Sequence, residues 1–212
     1  MAGDLTSTTR WTGVSRPRLL PDLHLTPAAT HLTIRSADGC SESRALAVIR
    51  SAPRGMLTYA WDGVPRHGDH DLPRRSDIPA RYGMKPLTWI AAIEAMAHAE
   101  PGDGVTRGWR QEALMRATSV IDTIAVDMRV MTAEQRTRMP LGGSAHAGAR
   151  GISRGEGRVD DGPWQAASLR TPLAELTWSS WRDDWPFQRG AHTLTVRGDE
   201  GHGPRSSPPG PR

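Results

Sequence analysis

Turn-forming clusters divide this chain into short pieces, and that limits what it can fold into. Ala37-Asp38-Gly39, Asp62-Gly63, the loop Glu100 to Gly104, Leu141-Gly142-Gly143, Gly148 to Gly151, Asp160 to Trp164 and Trp185-Pro186 recur along 212 residues. Most of the segments between them are short and suit strands and single helical turns. His31 to Arg35 alternates as a strand, and so does Met56 to Trp61, which the Asp-Gly pair then closes. Arg10 to Val14 opens the organised chain. Leu19, Leu20 and Leu23 space out one or two helical turns ended by Pro27, and Glu42 to Ile49 reads as a short helix.

Trp89 to Met96 is open to two readings, helical by its alanine content or a strand by its place after a Tyr-Gly turn. Trp109 to Arg116 has room for a helical turn. Ser119 to Val130 carries the β-branched density of one or two strands, and the chain from there reads as all-β. Regular spacing of short strands suggests a sandwich. His192 to Arg197 alternates, with His192, Leu194 and Val196 on one face. The tail from 202 to 212 has no apolar residue to bury and is expected to be disordered.

Hydrophobic residues make up 37% of the chain, with one Phe, two Tyr and eight Trp, so tryptophan must carry most of the aromatic packing. The formal charge of +4 comes from arginine, Lys85 being the only lysine. Carboxylates are interspersed among the cations and no basic stripe interleaves with aromatics, so nucleic-acid binding is not expected. The single cysteine, Cys40, excludes an intrachain disulfide and a cysteine-rich zinc site. Without a signal-like or spanning apolar run, the chain as written reads as soluble and cytoplasmic.

Phosphate-cradling, dinucleotide and nucleophile-elbow motifs are absent from the sequence. The histidines are dispersed. His67 and His70, in HGDH, form the closest pair and lack a third ligand, so no metal site is assigned. Cationic chemistry concentrates instead from His70 to Trp89, where Arg74, Arg75, Arg81 and Lys85 stand among three prolines and Tyr82-Gly83. A proline-stiffened loop carrying fixed guanidinium and ammonium donors suits an anionic ligand, although a solvated basic linker would have the same composition.

Several blocks read in order carry a resemblance. RWTGV (10–14), ATHLTIRSADG (29–39), LTYAWDGVP (57–65), ARYGMKPLTWI (80–90), RGWRQEALMRATSVIDT (107–123), AHAGARGIS (145–153), VDDGPWQAASLRTPLAELTW (159–178) and RGAHTLTVR (189–197) resemble the sulfite oxidase type of molybdopterin-dependent oxidoreductase. The resemblance spans Arg10 to Gly201 and rests on the joint spacing of the blocks.

The resemblance implies an α+β chain. Residues 1–85 would be part of a mixed α/β molybdopterin-binding domain, and 86–201 an all-β immunoglobulin-like sandwich that pairs two subunits into a homodimer. It implies a molybdenum-molybdopterin cofactor and oxygen-atom transfer to or from a small oxyanion such as sulfite. His70, Arg75 and Lys85 fall where the family contacts the cofactor, and Arg75 is the residue expected to attract the oxyanion.

The chain also departs from the family pattern. The family's molybdenum cysteine lies upstream of the Trp-Thr-Gly-Val block, and Cys40 does not occupy its place. Asp71 and Thr88 replace a glycine and a basic residue, which weakens the anion site. Arg154 to Arg158, with two glycines, replaces a valine-rich strand and is expected to pair poorly. The alternative implied by these departures is an inactive fragment that acts as a dimerisation module.

Overall fold

The computed structural model describes residues 7–65, 74–125 and 127–201. It is mostly β, with fourteen strands and only short helices among the described residues. In chain order the strands are β1 (Trp11–Ser15), β2 (His31–Ser36), β3 (Ser41–Ala45), β4 (Met56–Trp61), β5 (Val64–Pro65), β6 (Arg75–Asp77), β7 (Ile90–Met96), β8 (Thr118–Ile124), β9 (Val130–Met131), β10 (Thr137–His146), β11 (Ile152–Val159), β12 (Gln165–Leu169), β13 (Ser179–Pro186) and β14 (Leu194–Glu200). The helices are α1 (Arg16–Leu19), α2 (Leu46–Ser51) and α3 (Asp103–Thr106), with single 3-10 turns at Pro21–Leu23 and Gly148–Arg150.

The chain divides into two compact units, Thr9–Met115 and Arg116–Arg212, with Met1–Thr8 grouped with the second. The boundary therefore lies at 115/116 and not at 85/86. The cause is pairing: β7 runs antiparallel to β2 from His31↔Met96 to Ser36↔Ile90, which settles the open reading of 89–96 as a strand. Tyr82 N–H donates to Ala113 O at 3.0 Å and Met115 N–H to Ala80 O at 2.9 Å, so the chain after β7 returns to the same unit. No helix forms over 109–116.

In the first unit β1, β4 and β5 pair in order with β6 also on β4, while β2 lies between β3 and β7 in a second sheet. Asp62 (φ 46°) and Gly63 (φ 79°) make the tight turn from β4 to β5, the left-handed pair that matches hairpin twist. Leu20, Leu32, Leu46 and Ile49 form the core, backed by Leu25 and Ala29. The helix expected over 42–49 begins only at Leu46. Ser41 to Ala45 instead pairs with β2 residue by residue, because the tight turn at Asp38-Gly39 returns the chain alongside that strand.

In the second unit the strand order is β14-β11-β12-β13-β10-β8, with β9 on β10. β12 belongs to both ends of this path: Gln165, Ala166 and Ala167 pair with β11, whereas Ser168 and Leu169 pair with β13. The path folds over at that strand, and Met139, Leu141, Ala145, Trp181 and Trp185 fill the space between, with Ile152, Leu169, Leu194 and Val196 packed against them.

Two expectations fail here. Leu141-Gly142-Gly143 is no turn but the middle of β10, the longest strand. The segment Arg154 to Arg158 lies within β11 and pairs on both sides. Its glycine at 155 is a packing choice, since a Cβ there would meet Leu169 Cδ2 at 3.2 Å and Trp181 Cβ at 3.8 Å. Trp185 and Pro186 likewise end β13 and do not interrupt it. The tail 202–212 lies outside the described residues.

Candidate functional site

The cationic loop comes back on itself. Ser76 N–H donates to Leu87 O at 2.8 Å and Ile90 N–H to Arg74 O at 3.4 Å, so the arms at 74–77 and 87–90 run side by side. β6 also pairs with β4, with Thr58↔Arg75, Leu57↔Ser76 and Met56↔Asp77. Strand alternation then separates the two arginines. Arg74 faces a cavity of about 210 Å³ inside the first unit, together with Ile78 and Lys85.

Arg75 faces elsewhere. Its Nε donates to Asp77 Oδ1 at 2.8 Å, and its guanidinium lies 5.4 Å from the centre of the Trp11 ring. Trp11 in turn packs on Trp61 at 5.9 Å between ring centres, and Asp77 Oδ2 accepts from Thr58 Oγ1 at 2.7 Å. Arg75 is thus a partly exposed cation oriented by a carboxylate and an aromatic face, a combination that fixes its fork of donors.

Lys85 has the opposite character. Its side chain is 0% exposed and its Nζ donates to Glu42 Oε1 at 2.6 Å, while Arg44 Nη2 reaches the same oxygen at 3.3 Å. Glu42 and Arg44 stand on β3 at positions whose cross-strand partners on β2 are Ile34 and Leu32. Carboxylate and guanidinium therefore occupy the core-facing row of a three-stranded sheet.

Arg16, on α1, completes this group at 5% exposure. Burial, then repulsion from Arg44, lowers its pKa to about 10, with Asp77 partly offsetting both. Burial likewise lowers that of Arg44, with Glu42 opposing and Arg81 adding to the fall. Arg81 donates through Nη1 to Glu112 O at the surface.

The sequence brings Arg74, Arg75, Arg81 and Lys85 into one loop, and the structure disperses them. Lys85 and Arg74 meet at the cavity, Arg75 at Trp11, and Arg81 on the strip before Met115. His70, together with His67 and Asp71, lies outside the described residues. Sequence reasoning missed Arg16, Glu42 and Arg44. The signal was there in Glu42-Ser43-Arg44, charges at alternate positions opposite Ile34 and Leu32, but reading 42–49 as a helix concealed it.

Against a molybdenum-pterin group, the described residues supply cations but no metal thiolate. Cys40 sits in the turn between β2 and β3, its N–H on Asp38 Oδ1 at 3.0 Å. Partial burial and then the Asp38 carboxylate hold its thiol above the ordinary value, so at neutral pH it carries its proton. Lys85 is committed to Glu42. Among the described residues, no three His, Cys, Asp or Glu side chains gather where they could hold a metal ion. These residues do not fit the group as a complete cradle; of the two described residues at family positions, Arg75 is partly exposed and Lys85 is sealed. No helix among the described residues is long and apolar enough to cross a membrane.

The oxidoreductase molybdopterin binding domain model matches residues 1–103. Among solved structures, the sulfane dehydrogenase SoxCD from Paracoccus pantotrophus is similar with a TM-score of 0.78 at 18% identity, over 93% of this chain and 53% of that one. The chain thus spans about half the length of that solved chain, and at this identity the likeness concerns the fold. No curated protein matches the sequence. Residues 1–103 thus match the oxidoreductase molybdopterin binding domain, and the fold of the chain is shared with a sulfane dehydrogenase.

Proposed function

We propose that this chain serves in oxygen-atom transfer to or from a small oxyanion, with sulfite as the first substrate to test and a second copy as its partner. The single observation that carries the reading is the domain match over residues 1–103. A molybdenum-pterin group, when bound, supplies the two-electron chemistry. The chain's contribution is positive charge. Arg75, oriented by Asp77 and Trp11, draws an oxyanion by a directed, partly exposed guanidinium. His70 is proposed as a cofactor contact on the strength of the family alone. Lys85 holds the interior of the unit through Glu42, and its cofactor role, implied by family position, requires that pair to open.

A second reading is favoured by the closed Lys85–Glu42 pair and the protonated Cys40: a cofactor-free module whose all-β unit, of immunoglobulin-like kind, pairs two copies. One experiment separates the two. Protein co-expressed with the cofactor-synthesis machinery is analysed for molybdenum and pterin per chain, then for sulfite oxidation with an artificial electron acceptor. Stoichiometric metal, and activity that falls at least tenfold in Arg75→Gln, supports the oxidoreductase. Metal-free protein that is dimeric by light scattering supports the module and sinks the first reading.

A further inference from the structure

The cavity beneath α1 is bordered by two buried arginines, Arg16 and Arg44, that neither reading of the family uses. It lies between the face of the β3-β2-β7 sheet and the β4-β6 pair, and it is lined mostly by leucine and isoleucine, including Leu20, Leu32, Ile34 and Leu57. Four cations, the buried Arg16, Arg44 and Lys85 and the exposed Arg74, border this apolar space with one carboxylate, Glu42, among them. Asp77 also acts on Arg16, but its own oxygens already accept from Arg75 and Thr58.

The donors are not all used. Arg16 Nε and Nη2 and Arg44 Nε are buried without a hydrogen-bond partner, although both residues are less than one-tenth exposed. Arginine cannot escape such a position by losing its proton near neutral pH. A buried guanidinium with idle N–H groups is costly, and an anion placed against it removes that cost. The backbone is shaped to hold the Arg16 head: a Cβ on Gly55 would meet Nη2 at 2.5 Å and Nε at 3.0 Å.

The shape and lining decide which anion. A free tetrahedral oxyanion would satisfy the donors but leave the leucine-lined remainder empty, whereas an apolar chain attached to the anion fills both parts. At about 210 Å³ the space is below the ~300–1,000 Å³ of pockets that take drug-sized ligands, which points to a short chain. We propose that this cavity binds an amphipathic monocarboxylate of medium chain length, its carboxylate against Arg16 and Arg44 and its chain among the leucines of α1 and β2.

This proposal is independent of the oxidoreductase reading, because neither molybdenum nor pterin enters its test. The purified chain, free of cofactor, is titrated calorimetrically with octanoate and separately with sulfate at matched ionic strength. Octanoate is expected to bind at least tenfold more tightly than sulfate. Arg16→Met and Arg44→Met, each checked for folding by the near-ultraviolet signal of the tryptophans, are expected to weaken octanoate at least tenfold, and Arg74→Met, at the exposed mouth, less than threefold. Octanoate that binds no better than sulfate overturns the proposal, and so does undiminished affinity in both folded variants.

A readout that needs no variant is the 13C-carboxyl shift of labelled octanoate as pH is lowered. Held by two guanidinium groups, the bound carboxylate must stay ionised below its free titration range. A carboxyl that titrates as it does in buffer overturns the assignment as well.

Discussion

Lys85 Nζ lies 2.6 Å from Glu42 Oε1, and neither side chain is more than 5% exposed. A charge pair this deep is retained only while both members are present, because removing one leaves the other without compensation. The two halves are not equivalent. Lys85→Met leaves Glu42 with Arg44 at 3.3 Å and is expected to cost about 3 kcal/mol, the lower end of the range for broken buried pairs. Glu42→Gln leaves Lys85, Arg44 and Arg16 facing one another and is expected to cost about 5 kcal/mol or to prevent folding. Urea unfolding midpoints of the two variants measure the difference, and equal losses would contradict the asymmetry.

Because Lys85 is the only lysine in the sequence and its side chain is 0% exposed, its ammonium reports on opening of the first unit. Amine-reactive reagent added to native protein is expected to leave Lys85 unlabelled, and reagent added in denaturant to label it fully. Mass spectrometry of the peptide containing residues 82–107 reads the ratio. Rapid native labelling would show that this interior opens readily.

Adjacent glycines in β10 are expected to respond oppositely. A Cβ at Gly143 would run into Val120 O and the Trp181 ring, whereas at Gly142 the nearest atom is Trp181 O at 3.9 Å. Gly143→Ala should cost about 3 kcal/mol or more, the upper range for overpacking a well-filled core. Gly142→Ala should stay within about 0.5 kcal/mol of neutral, as changes away from such contacts do. Thermal unfolding and the near-ultraviolet signal of Trp181 test both.

Acid should loosen the second unit through Glu200. Two hydrogen bonds from Arg150, at 2.6 and 2.9 Å, hold its carboxyl below the ordinary value of 4.5, and the Ala117 N–H adds to this. The folded state therefore binds this proton less readily than the unfolded chain does. The stabilising contribution is complete above pH 4.5 and is lost as pH falls from there through the depressed folded value. Glu200→Gln is expected to be less stable at pH 7 and to show a flatter stability profile below pH 4.5. An unchanged slope would exclude Glu200 as the group responsible.

The strands that could be read from sequence were those with alternation and a turn of distinctive chemistry. β2 before Asp38-Gly39, β4 before Asp62-Gly63 and β14 with Leu194 and Val196 inward all carry local signals. The errors came where a residue's reason lies across the sheet. Gly143 reads as a breaker until Trp181 is known to lie against it, and Gly155 as a weakness until Leu169 is.

The site was legible to the same degree. Sequence proximity gathered Arg74, Arg75 and Lys85, and period-two alternation then turned Arg75 away from the other two. The long-range partners Glu42 and Arg16 had no local signature to disclose them. The arginine of family position, Arg75, and the lysine of family position thus lie in different surroundings, one at an aromatic surface and one in a sealed ion pair.

The contact between Ala117 and Glu200, 83 residues apart and joined at 3.0 Å, brings the start of β8 and the end of β14 to one place. A unit with adjacent ends is a cassette: a short linker could join those ends and new termini be opened at the exposed Asp160-Asp161 turn, and the sheet order would be kept. Such a circularly permuted cassette would also let these sheets be transplanted into a surface loop of another protein.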